Sequence, residues 1–88
     1  MTNSKTNSPG VVSILFFGQL AEQVGRTRLE VAADLAPDVE ALLRYVRAEF
    51  HPLRTATFAV AVDEQIRNAN VPLAAGMTVA LLPPFSGG

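Results

Sequence analysis

Two short runs, one towards each end of the chain, leave few choices of fold. Val11-Val12-Ser13-Ile14-Leu15-Phe16-Phe17 and Thr78-Val79-Ala80-Leu81-Leu82 are β-branched, aromatic or aliphatic at nearly every position. Their length and composition read as strands. A strand with one wet face alternates apolar and polar residues, whereas a strand apolar on both faces belongs inside a sheet. The two runs are therefore expected side by side at the sheet's centre. Ser13 sets the parity of the first: Val12, Ile14 and Phe16 face the core, while Ser13, Leu15 and Phe17 face away. In the second, Val79 and Leu81 point inward and Ala80 and Leu82 outward.

One helix is clearly written between them. Asp38, after Pro37, is a good N-cap, and Val39, Leu42, Leu43, Val46 and Phe50 follow at i, i+3, i+4, i+7 and i+11. Glu40 and Arg44 are spaced for an i,i+4 pair on the opposite side, worth only about 0.2–0.5 kcal/mol. Pro52 cannot continue the helix. Gln19 to Val24 suits a short helix ended by Gly25, and Thr27 to Ala32 a strand hairpinned to the first. Phe58 to Val62 and Gln65 to Arg67 read as two more strands about an Asp63-Glu64 turn. Leu73 to Gly76 reads as loop. The order β-β-α-β-β-β, with one main helix on a mixed sheet of four to five strands, is an α+β domain of the ubiquitin-like β-grasp type.

Composition narrows the chemistry. The 88 residues suffice for one domain, expected over 11–82, preceded by a leader over 1–10 that is expected to be disordered because it has no apolar periodicity. With no cysteine there is no disulfide, thiolate metal site or cysteine nucleophile, and one histidine cannot make a multi-histidine metal site. A formal net charge of −1 gives no electrostatic basis for binding nucleic acid or an anionic membrane. Nothing approaches the ~20 apolar residues of a membrane span or the pattern of a secretory signal, so a cytoplasmic protein is expected. The only lysine is Lys5; the other cations are Arg26, Arg28, Arg44, Arg47, Arg54 and Arg67.

The end of the chain is its most informative segment. In Leu82-Pro83-Pro84-Phe85-Ser86-Gly87-Gly88, two prolines stop the last strand because neither can donate to a ladder. From Pro83 to Gly88 a flexible, extended tail reaches roughly 20 Å, at about 3.3–3.6 Å per residue. Two glycines without Cβ atoms fit a channel too narrow for other residues. Such an arm suits insertion into another protein's active site. Leu15, Phe17, Ile66, Leu82 and Phe85 all point outward by parity, and as one patch they mark an interface. By contrast, His51 reads as a helix C-terminal residue facing the dipole, Asp63-Glu64 as a turn, and Arg26 and Arg28 as solvated strand positions.

Taken together, Phe16-Phe17-Gly18-Gln19-Leu20 with Val24-Gly25, Val39-Glu40-Ala41-Leu42, Ala61-Val62-Asp63 and the Leu82–Gly88 ending resemble the small subunits of molybdopterin synthase. That family is a branch of the ubiquitin-like sulfur carriers, and the resemblance covers residues 11–88. It implies that Gly88 is adenylylated, becomes a thiocarboxylate and donates sulfur to cyclic pyranopterin monophosphate, building the molybdopterin dithiolene. Gly87 would serve as the slim approach to that terminus. Leu15, Phe17, Ile66, Leu82, Pro83, Pro84, Phe85 and Ser86 would contact partners. The implied partners are the synthase large subunit, an adenylyltransferase resembling ubiquitin-activating enzymes, and a sulfur-donor enzyme. The chain itself would bind no cofactor, ATP being used by the activating partner, and would be a non-catalytic subunit. The alternatives are a sulfur carrier for thiamine thiazole, cysteine or tRNA thiolation, and a ubiquitin-like modifier or binding module.

Overall fold

A computed structural model describes residues 10–84 of the chain. The expected leader, apart from Gly10, and Phe85, Ser86, Gly87 and Gly88 lie outside the described residues. The elements are β1 (Val11–Phe16), α1 (Gly18–Val24), β2 (Arg28–Ala32), α2 (Val39–Glu49), β3 (Ala59–Val62), β4 (Gln65–Arg67) and β5 (Thr78–Leu82). Single 3₁₀ turns at Ala33–Leu35 and His51–Arg54 flank α2. The strands form one mixed sheet in the order β2-β1-β5-β3-β4. β1 and β5 are its parallel central pair, with Ile14 opposite Val79 and Phe16 opposite Leu81. The two doubly apolar runs thus sit where their composition requires.

Parity holds throughout the centre. Val12, Ile14, Phe16, Val79 and Leu81 are buried against α2, together with Val31, Val60 and Val62 from the flanking strands. From the helix, Val39, Leu42 and Val46 are buried, and Leu43 and Phe50 pack partly buried on the same core. Each fully buried aliphatic side chain contributes about 1.5–3 kcal/mol, so the stripe far outweighs any surface pair. Phe50 meets Phe16 edge to face, with ring centroids 5.8 Å apart. The i,i+4 pair expected between Glu40 and Arg44 does not form. The ion pair among the described residues is Arg28–Glu30 at 3.3 Å, joining two exposed side chains on β2.

All four leading N–H groups of α2 have partners. Val39 N–H donates to the Val71 carbonyl (3.0 Å), Glu40 N–H to Asn70 Oδ1 (2.9 Å), Ala41 N–H to Asp38 Oδ1 (2.8 Å) and Leu42 N–H to the Asp38 carbonyl (3.0 Å). The helix start is therefore clasped by the loop that leads to β5. The Ala41 N–H holds the Asp38 carboxyl below the usual carboxylate range, with the Asn70 side chain and Arg44 adding to the effect. A depressed folded-state pKa gives stability that is present above the unfolded value near 3.9 and lost as pH falls through the folded value. Asp38→Asn should therefore lower the urea midpoint at pH 7, and the gap to wild type should close below about pH 4. An unchanged gap at pH 3 would mean that the charge has no part in the cap.

At the far end of α2, His51 follows the C-cap Phe50 and is exposed on the 3₁₀ turn. Arg47 ties that end down. Its guanidinium donates to the carbonyls of Leu53 (2.6 Å), Ala56 (3.0 Å) and Arg54 (3.4 Å) and lies 4.5 Å over the Phe58 ring. These bonds hold a turn whose Leu53 is wholly buried. At the other end of the domain, Gly10 is already part of the fold, its carbonyl accepting from Ala33 N–H at 3.0 Å.

Candidate functional site

The face of the sheet turned away from α2 collects the outward residues into rows. Across one row, the pairings run Arg28–Leu15, Leu15–Ala80, Ala80–Ala61 and Ala61–Ile66. Leu82 lies opposite Ala59 two positions along, and Phe17 N–H bonds the Leu81 carbonyl at 3.1 Å. The alanines at the centre are small, so the face dips between taller edges. The resulting open depression, about 600 Å³, is lined by Leu15, Phe17, Ala61 and Ala80 with Arg28 and the Asp63-Glu64 turn at its rim. Phe17 is 43% exposed and Ile66 52%, high values for large apolar side chains. Leu15 and Leu82 are half-buried.

The charged rim is fixed by local geometry. Arg28 donates to the Ser13 hydroxyl (3.2 Å) and to Glu30 (3.3 Å). Asp63 and Glu64 form the expected turn between β3 and β4, both with positive φ (48° and 73°). Two successive positive φ values are the signature of a type I′ turn, whose twist matches that of a hairpin. Here the turn is made without glycine. Asp63 anchors it: its N–H donates to the Thr78 carbonyl (2.8 Å) and its Oδ1 accepts from Thr78 N–H (2.9 Å).

The tail leaves from the edge of this face. β5 ends at Leu82, Pro83 is half-buried and Pro84 exposed. Pro83 packs on the turn that joins β1 to α1. A Cβ placed on Gly18 would lie 2.9 Å from Pro83 Cγ, and Gly18 itself has φ +57°. That contact links residues far apart in sequence, and nothing in the local pattern around Gly18 announces it. Arg47 was likewise invisible, since a helical arginine reads as solvated until its carbonyl partners are known. Of the site residues read from the sequence, Leu15, Phe17, Ile66, Leu82, Pro83 and Pro84 fall on or beside the outer face. Phe85, Ser86, Gly87 and Gly88 lie outside the described residues.

A second hollow of about 340 Å³ lies between α2 and the β3–β4 edge, lined by Val39, Leu43, Phe58, Arg67 and Asn70 among others. No group of three or more His, Asp or Glu able to hold a metal ion occurs among the described residues. No described helix is long and apolar enough to cross a membrane.

The profile of the ThiS family matches residues 14–88. The chain is 37% identical over 82 residues to the molybdopterin synthase sulfur carrier subunit of Escherichia coli K12, covering 89% of this chain and all of that protein. SAMP1 of Haloferax volcanii, a small archaeal modifier protein, superposes with a TM-score of 0.74 at 26% identity, over 90% of this chain and all of that one. A complex of subunits 1 and 2 of the molybdopterin-converting factor of Helicobacter pylori contains a chain similar at TM-score 0.65 and 27% identity, over 89% of this chain and 99% of that one. With this β-grasp architecture and a family match running through its last residue, the chain belongs to the ThiS family and is a relative of the molybdopterin synthase sulfur carrier subunit.

Proposed function

We propose that the chain is the sulfur-carrier subunit of a molybdopterin synthase and carries sulfur on the carboxylate of Gly88. The observation that carries this reading is the 37% identity, over 89% of this chain, to the molybdopterin synthase sulfur carrier subunit of Escherichia coli, with the ThiS-family match from residue 14 to residue 88 taking in the Gly-Gly ending. An α-carboxylate has a pKa of about 3.3–3.7, so it is ionised at neutral pH and a poor electrophile. Attack of the Gly88 carboxylate on ATP, in an activating partner, releases pyrophosphate and leaves an acyl-adenylate. A hydrosulfide equivalent delivered by a donor enzyme then displaces AMP to give the thiocarboxylate. The loaded tail enters the large subunit, where the thiocarboxylate sulfur bonds to a carbon of cyclic pyranopterin monophosphate. Water then cleaves the resulting thioester, leaving sulfur on the pterin and returning the Gly88 carboxylate, and the dithiolene takes two such transfers. The reactive group is on the main chain, which suits a protein with no cysteine.

In this reading the outer face is the docking surface. Phe17, Leu15, Ile66 and Leu82 offer an apolar centre, and the Helicobacter pylori complex gives a precedent for pairing with a second subunit. Phe85 and Ser86 would lie in the partner's channel with Gly87. The likeness to SAMP1 favours a second reading, in which the activated terminus ends on another protein as a modifier.

Intact-mass spectrometry on the chain co-expressed with its sulfur machinery separates the two. A carrier shows one oxygen replaced by sulfur; a modifier shows the chain joined to other proteins through an amide. An unaltered terminus under sulfur-replete conditions counts against both. Co-purification then settles the pathway, a synthase large subunit supporting the first reading and thiazole synthase supporting a different carrier.

A further inference from the structure

We infer that Gly18 is a positioning residue: it is the seat on which the Pro83 ring rests, and it sets the direction in which the tail leaves the domain. The inference rests on the reading of the tail as a sulfur-bearing arm. Three constraints meet at the exit. Leu82 is still held in the ladder with Ala59. Pro83 has its φ fixed by its ring, and Pro84 after it restricts Pro83 to extended conformations. These local constraints fix the shape of the Leu82–Pro84 segment but leave its tilt relative to the sheet free to adjust. The tilt is set by what the Pro83 ring leans on, and the ring leans on Gly18.

The geometry leaves no room there for a side chain. A Cβ on Gly18 would sit 2.9 Å from Pro83 Cγ and 3.6 Å from Cδ, and the ring has no rotatable bond by which to swing away, only a change of pucker or a shift of the whole residue. Phe17, the residue before, is pinned to β5 through its N–H bond to Leu81, so the seat cannot retreat easily. A residue at position 18 large enough to exhaust the ring's change of pucker must therefore push Pro83, and Pro84 with it. Gly25 and Gly76 also have positive φ (86° and 92°), but a Cβ at either meets nothing within 4 Å. Those glycines answer a backbone need alone; Gly18 answers a backbone need and a contact.

That difference supplies the control. Gly18→Val and Gly25→Val both place a β-branched residue at positive φ, and Gly25 (φ 86°) lies further outside the allowed left-handed region than Gly18 (φ 57°), so backbone strain alone would impair Gly25→Val at least as much. Only Gly18→Val meets Pro83. With sulfur-loaded full-length protein and its large subunit, Gly18→Val should bind with an affinity close to that of Gly25→Val. Its single-turnover sulfur transfer should be slower by on the order of 10- to 100-fold, as expected for a reacting group displaced by about 1 Å. Pro83→Ala removes the ring atoms that a Cβ would strike. The double variant Gly18→Val/Pro83→Ala should then transfer sulfur no more slowly than Pro83→Ala alone, a non-additivity that general destabilisation does not produce. If Gly18→Val fails to fold, Gly18→Ala carries the same cycle with a smaller displacement.

Equal transfer rates for Gly18→Val and Gly25→Val, or additive effects in the cycle, would overturn the inference. A readout independent of sulfur chemistry is the nuclear Overhauser contact between Gly18 Hα and the Pro83 ring protons in the free full-length chain. Its absence would remove the seat whatever the chain carries. Its presence in a wild-type chain that accepts no sulfur would keep the seat and discard the carrier reading.

Discussion

Deleting Gly88 should leave the domain as stable as wild type and reduce molybdopterin formation by at least about a hundredfold. The first half follows from where the fold ends. Among the described residues the last in the ladder is Leu82 and the last half-buried is Pro83, with Pro84 exposed. The core beneath includes Val12, Ile14, Leu42, Val46, Val79 and Leu81, all wholly buried and all upstream of the strand's last residue, Leu82. The second half follows from reach. Removing Gly88 leaves a carboxylate on Gly87 of the same acidity, but shortens the arm by about 3.3–3.6 Å. A displacement of about 1 Å already costs on the order of 100-fold when a reacting group must be held in place. Thermal unfolding monitored by circular dichroism and a reconstituted synthase assay measure the two halves separately. Undiminished molybdopterin formation by the shortened chain would remove Gly88 from the mechanism.

What the amino-acid pattern discloses here is everything governed by alternation and by caps. Ser13 interrupts an apolar run, and that single residue sorts Val12, Ile14 and Phe16 from Leu15 and Phe17 correctly. The double-faced apolarity of β1 and β5 places them at the centre of the sheet. Asp38 and the stripe from Val39 to Phe50 define α2 almost to the residue. Thr27 and Phe58, read as strand residues, fall just outside β2 and β3, because ladder pairing depends on partners that composition does not name. Long-range contacts are the other class that stays hidden. Arg47 satisfies carbonyls six to nine residues away through a fold-dependent turn. The Gly18–Pro83 seat depends on β1 and β5 being neighbours in parallel register, and the non-glycine type I′ turn depends on Asp63 reaching Thr78. The candidate face was legible because parity is local; the device that aims the tail was not, because it joins two ends of the chain.

The outer face makes the other strong claim, and Ile66→Arg is its cleanest probe. Ile66 is 52% exposed on β4, a three-residue strand at the sheet edge, and points away from the core. An arginine there keeps its charge in water in the free protein, so stability should change little. In a complex that covers the face, the same arginine forfeits the burial of an isoleucine, worth about 1.5–3 kcal/mol, and brings an unpaired charge against apolar surface. At about 1.4 kcal/mol per tenfold, affinity for the large subunit should fall by more than about tenfold and on the order of 100-fold. Leu82→Arg should act in the same direction, since Leu82 lies across from Ala59 on the same face and beside the tail's exit. Arg44→Glu, a charge reversal on the exposed side of α2, serves as the control because α2 covers the opposite face of the sheet. Titration calorimetry or surface capture of the large subunit by the full chain reads all three. Wild-type affinity in both Ile66→Arg and Leu82→Arg would mean that the apolar face is not where the carrier docks. A loss confined to these two, with sulfur loading by the activating partner unaffected, would mean that the two partners read different parts of the same surface.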